Sequence, residues 1–124
     1  MHHTALIVDD HEGVRTALKR LFETHDYEVL TAANGADALT VLAACRVDVI
    51  LLDLCMPVMD GIMFRERQLA DSLIARIPVV VISDVVGASD FTSSMGLEHA
   101  SKGDSERLVD TVARVCLAGA HERD

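Results

Sequence analysis

Apolar residues fall along this chain in two alternating rhythms. Short unbroken runs occur at Thr4–Val8, Val47–Leu52 and Val79–Ile82. Runs of that length predict strands buried on both faces, as in a parallel sheet covered by helices. Tyr27–Ala32 and Leu97–Ser101 are more polar and predict edge strands. Between the strands the period changes. Val14, Leu18, Leu21 and Phe22 follow helical spacing, as do Leu108, Val112, Val115 and Cys116. Each set makes one apolar stripe on a helix. Asn34 is the predicted N-cap of a helix running through Ala44, and Asp104 that of the last helix. Pro57 and Gly61 punctuate the loop before the third helix. No internal repeat or low-complexity segment interrupts the pattern.

Five strand–helix repeats predict an α/β fold, a doubly wound five-stranded parallel sheet of flavodoxin-like type with helices on both faces. The expected strand order is 2-1-3-4-5, with the switch point between the first and third strands. A length of 124 residues predicts one domain over 1–124, and 50% hydrophobic residues supply its core. No apolar stretch approaches the roughly 20 residues of a membrane span. The first residues lack the features of a signal peptide, so a cytoplasmic protein is expected. Three cysteines without a CxxC pair argue against a disulfide framework or a zinc site. A formal charge of −9 argues against direct nucleic-acid binding, which needs clustered Lys and Arg.

The chemistry gathers at strand ends. Asp9 and Asp10 follow the first strand, Asp53 the third, Ser83 the fourth and Lys102 the fifth. In an open α/β sheet these positions converge on one edge, beside the switch point. Crowded carboxylates repel unless a cation or protons neutralise them. Mg²⁺ (or Mn²⁺) suits such a set, with Asp10 and Asp53 as direct ligands. Asp53 is the candidate nucleophile: an ionised carboxylate can attack phosphorus without a general base and form an acyl phosphate. Lys102 would neutralise charge on the transferring group and Ser83 would hydrogen-bond one of its oxygens. Taken singly these residues read as a helix cap, a strand-end hydroxyl and a surface lysine. Together they form a site.

In that combination the chain resembles the receiver domain of bacterial two-component response regulators. The matching pieces are Asp9-Asp10, Asp53 with Met56-Pro57 and Asp60-Gly61, Ser83 and Lys102. The resemblance implies the backbone carbonyl of Cys55 as a further metal ligand, with Asp9 acting through a metal-bound water. It implies a phosphohistidine donor on a sensor histidine kinase or phosphotransfer protein, in a two-component system or phosphorelay. The domain would catalyse its own phosphotransfer and slow dephosphorylation, without being an enzyme on another substrate. Drawing Ser83 and Lys102 toward the phosphoryl group would switch the face made by helix 4, strand 5 and helix 5, and so control an output domain or partner. A homodimer through that face, or through helices 1 and 5, belongs to the same expectation.

The chain departs from that family at four points, one of them Gly103, which stands where a proline often follows the lysine. His99 stands where receivers carry Tyr or Phe, which assigns it to the switch with Ser83 but gives it a smaller, titratable ring. Asp84 follows Ser83 where a small residue is usual, and its charge would modulate the site. The interval from Ser83 to Lys102 is short by about one helical turn, which predicts a stunted fourth helix. The last three of these departures favour one alternative, a receiver-like interaction module that does not switch by phosphorylation. A haloacid-dehalogenase-type phosphohydrolase would need an acid where Cys55 stands. A flavodoxin would need hydroxyls where Asp9-Asp10-His11-Glu12 stands.

Overall fold

The computed structural model describes residues 3–54, 56, 58–83, 88–94 and 96–123. Strands and helices alternate: β1 (His3–Val8), α1 (Glu12–Glu23), β2 (Tyr27–Ala32), α2 (Gly35–Ala44), β3 (Val49–Leu52), α3 (Gly61–Ala70), β4 (Val79–Val81), α4 (Ala88–Ser94), β5 (Glu98–His99) and α5 (Ser105–Arg123). The five strands form one parallel sheet in the order β2-β1-β3-β4-β5. The expected order and the two edge strands are both present.

Side chains alternate across a strand, so an unbroken apolar run needs cover on two sides. Leu6, Val8, Ile50, Leu52 and Val79 pack on one face with Ala38 and Leu42 of α2 and Phe64 of α3. Ala5, Ile7, Val49, Leu51 and Val80 pack on the other with Leu18 and Phe22 of α1 and Leu108, Val112 and Cys116 of α5. The two helical stripes read from the sequence both lie in this second cluster. Each fully buried Leu, Ile or Val contributes about 1.5–3 kcal/mol, so the central strands are the rigid part on which the site stands.

Three strands are shorter than the stretches that predict them. Val47 is buried but lies outside β3. At the next residue the Asp48 carboxylate accepts the Thr4 N–H at 2.8 Å, replacing a backbone ladder acceptor. Beyond β4, the Ile82 N–H still donates to Leu52 O at 3.0 Å, and beyond β5 the Ala100 N–H donates to Val81 O at 2.9 Å. Hydrogen bonding thus outlasts regular strand geometry by one residue where the chain turns into the site loops. Both predicted caps are present: Asn34 accepts from Asp37 N, and Asp104 from Arg107 N at 3.1 Å. α4 has seven residues, in line with the short interval before Lys102. Among the described residues no helix is long and apolar enough to cross a membrane.

Candidate functional site

The carboxyl ends of β1 and β3 lie side by side because those strands pair directly, Val8 opposite Leu52. The next residue of each strand is an aspartate. The backbone holds both: Asp53 N–H donates to Val8 O at 3.0 Å and Asp9 N–H to Ala32 O at 3.1 Å. Asp9 is 0% exposed and Asp53 is 5% exposed, whereas Asp10 faces solvent. Carboxylate oxygens of all three lie within 4.8 Å of one another.

Lys102 enters from the loop after β5. Its Nζ lies 2.7 Å from Asp9 Oδ2 and 3.4 Å from Asp53 Oδ2. The loop is shaped locally, since Ser101 Oγ accepts the Gly103 N–H at 3.1 Å. Burial lowers the Lys102 pKa, but the hydrogen bond to Asp9 and the charges of Asp53 and Asp9 outweigh it and leave it raised. The ammonium is therefore charged at neutral pH and serves as counter-ion to two buried acids. Among the described residues the Lys102 ammonium is the one contact of the buried Asp9 Oδ2, which leaves part of that oxygen's acceptor capacity unused. A buried, under-satisfied carboxylate oxygen beside two further acids is a donor set suited to a hard divalent cation.

The two acids after β1 do not cap α1. His11 does, its Nδ1 accepting the Val14 N–H at 3.2 Å. Asp9 Oδ1 instead accepts the His11 N–H at 2.9 Å, which turns the chain into the helix and aims Oδ2 at Lys102. Arg15, on the first turns of α1, donates from Nη1 to the Asp9 carbonyl at 2.8 Å and fixes the same loop. Sequence reasoning missed Arg15, because a lone arginine near a helix start looks like any solvated charge.

The loop after β3 is set by close approach. An added Cβ at Gly61 would lie 2.6 Å from Asp53 O and 2.8 Å from Leu54 Cα, so only glycine lets α3 begin against the site. Gly61 N–H donates to Leu54 O at 3.0 Å, and Asp60 caps α3 by accepting from Met63 N at 2.9 Å. Val58, exposed in this loop, has φ +65. A β-branched residue there is strained by about 1–3 kcal/mol, as occurs at functional loops.

Ser83 is buried at the end of β4, on the same sheet edge. Its carbonyl is 2.6 Å from His99 Nε2. A carbonyl oxygen only accepts, so Nε2 carries the proton and the ring points inward from β5. His99 is half-buried and tied to the backbone of the residue proposed to meet the phosphoryl group. The structure thus brings Asp9, Asp10, Asp53 and Lys102 together, with Ser83 and His99 linked at the neighbouring strand ends. Cys55 and Asp84, the expected carbonyl ligand and site-modulating acid, lie outside the described residues, as does Pro57.

Comparison with known proteins bears on this arrangement. The family model described as "Response regulator receiver domain" matches residues 5–101. Sporulation initiation phosphotransferase F of Bacillus subtilis is 42% identical over 67 residues, covering 54% of each chain. The match spans about half of that relative's length, and about a quarter of several longer ones. Among solved structures, the Vibrio cholerae chemotaxis protein CheY4 superposes with a TM-score of 0.81 at 28% identity, covering 93% of this chain and 99% of that one. Response regulator protein TrrA of Thermotoga maritima, solved in complex with Mg(2+)-BeF, shares the fold with a TM-score of 0.82 at 23% identity, covering 91% of this chain and 98% of that one.

Proposed function

We propose that this chain, which belongs to the response regulator receiver domain family, accepts a phosphoryl group on Asp53 from a phosphohistidine of a partner kinase or phosphotransfer protein. One observation carries the reading: Asp53 is buried at the end of a central strand, grouped with two further acids and 3.4 Å from a lysine ammonium. In the transfer an Asp53 oxygen forms the new bond to phosphorus as the bond to the imidazole nitrogen breaks. The imidazole, protonated on its other ring nitrogen, leaves with the electron pair and is neutral after transfer. As a carboxylate, Asp53 would need no base to attack phosphorus.

A bound Mg²⁺ or Mn²⁺ would supply neutralisation of phosphoryl charge, held by Asp10 and Asp53, the Cys55 carbonyl, and Asp9 through a water. Lys102 would turn its ammonium from the carboxylates to a phosphoryl oxygen, and the Ser83 hydroxyl would donate to another. Because the Ser83 carbonyl bonds His99 at 2.6 Å, motion of Ser83 would pull on β5. That couples the site to the face of α4, β5 and α5 without the larger aromatic ring. We read 1–124 as one such unit, working in the cytoplasm, controlling an output domain or partner, and pairing through that face or through α1 and α5 when it dimerises.

A second reading has its own support. The seven-residue α4 and the small ring of His99 suit an interaction module that does not switch. One experiment addresses both readings. The chain and Asp53→Asn are treated with Mg²⁺ and acetyl phosphate, then followed by intact mass and amide chemical shifts. The proposal expects one phosphoryl adduct on the wild type, none on the variant, and shifts reaching Glu98, His99 and α5. An adduct of equal yield on Asp53→Asn means a different acceptor. An adduct with shifts confined to the site supports the non-switching module.

A further inference from the structure

A second recognition feature lies at the opposite end of the sheet. A groove of about 830 Å³ opens at the amino ends of β4 and β5, between α3 and α5. Its apolar lining includes Ile77, Val79 and Leu97, and its charged residues are Arg65, Arg76, Arg114 and Glu98. Among the described residues, three arginines against one glutamate give the lining a net charge of plus two, in a chain whose formal charge is −9. The reversal of sign is local and needs an explanation.

The arginines are held differently. Arg114 Nη1 pairs with Glu98 Oε1 at 2.8 Å. Arg65 and Arg76 have no carboxylate partner among the described residues. Arg65 is half-buried, and burial lowers its pKa. Its Nη1 donates to Gln68 Oε1 at 2.7 Å, while the fully buried Gln68 Nε2 donates to Ile74 O and Ile77 O, each at 2.9 Å. One buried amide therefore orients the Arg65 guanidinium and clamps the turn that carries Arg76. A half-buried guanidinium without a counter-ion costs free energy, and its forked donors match a carboxylate.

We propose that this groove docks an acidic, partly apolar peptide segment of a partner protein, with carboxylates on Arg65 and Arg76 and an apolar side chain over Ile77 and Leu97. Three separate elements carry the guanidiniums around an apolar floor: α3, the turn before β4, and α5. That layout suits carboxylates spaced along a chain. Since the groove and Asp53 lie at opposite ends of the strands, docking leaves the acidic site open. The inference does not depend on the phosphoacceptor reading.

The test is an amide chemical-shift titration at low salt with a capped peptide of alternating glutamate and leucine. Its lysine–leucine counterpart and inorganic phosphate are separate arms. The proposal expects saturable shifts at Arg76, Gly96, Leu97 and Arg114 with the acidic peptide only, weakening as salt is added. Arg76→Glu, an exposed change, should lower affinity about tenfold or more, the scale of a lost charge-assisted contact. Lys19→Glu on α1 makes the same change of net charge outside the groove and should leave affinity unaltered. Absence of groove shifts at millimolar acidic peptide overturns the proposal. So does equal binding of the basic peptide, or an equal loss with Lys19→Glu. Phosphate reproducing the full pattern makes the groove a small-anion site and overturns peptide docking.

Discussion

Replacing Lys102 by alanine removes the ammonium that lies 2.7 Å from Asp9 Oδ2 and 3.4 Å from Asp53 Oδ2. At an effective dielectric of about 20 those contacts represent roughly 6 and 5 kcal/mol of gross attraction. Desolvation of the three groups offsets much of it. Removing one partner of a buried pair costs about 3–5 kcal/mol, because the remaining charge is left uncompensated. Here two carboxylates would be left, at 0% and 5% exposure, while the lysine side chain itself is 21% exposed. The partial exposure argues for the low end, about 3 kcal/mol. With an unfolding entropy of about 2.1 cal/mol/K per residue, that is a fall in Tm of roughly 11 °C for a chain of this length. The chain has no tryptophan, so far-ultraviolet circular dichroism in urea, with EDTA present, follows the unfolding. Saturating Mg²⁺ should then restore more stability to the variant than it adds to the wild type, since ammonium and cation would neutralise the same acidic cluster. At about a hundredfold excess over Kd the linkage gain is about 2.7 kcal/mol. A loss in EDTA below about 0.5 kcal/mol, the scale of an ordinary surface substitution, would refute the claim that Lys102 is the counter-ion of this cluster.

The other predictions concern the wild-type pH response and the loop after β3. Lys102 has a raised pKa, so its contribution is fully present below the unfolded-state value and is lost as pH rises through the folded-state value; urea midpoints should fall in the alkaline range above about pH 10, and less so in Lys102→Ala. Val58→Gly relieves the strain at φ +65, and thermal melts should show a gain of about 1 kcal/mol; an unchanged or lower Tm counts against strain there. Gly61→Ala drives a Cβ against Asp53 O and Leu54 Cα and should cost about 1–3 kcal/mol, with shifts centred on Asp53; a neutral change would mean α3 can retreat from the site.

Much of the architecture was legible in hydrophobic spacing. The apolar runs ending at Val8, Leu52 and Ile82 had to be strands covered on both sides, and the stripes on α1 and α5 had to face them. Strand order 2-1-3-4-5 was expected as a common order of doubly wound sheets, and with it the meeting of Asp9, Asp10 and Asp53, since each residue simply follows the end of a run. The caps at Asn34 and Asp104 are local devices and were equally plain. Tertiary structure alone decided the rest. His11 caps α1, which frees Asp9 to turn inward. Lys102 sits closer to Asp9 than to Asp53. The His99 ring meets the Ser83 carbonyl, and arginines from three distant segments line one groove. Periodicity records which face of an element is buried. It carries no record of which atom on another element fills the remaining hydrogen bond or charge, because that depends on how packed elements set the distances between residues far apart in the chain.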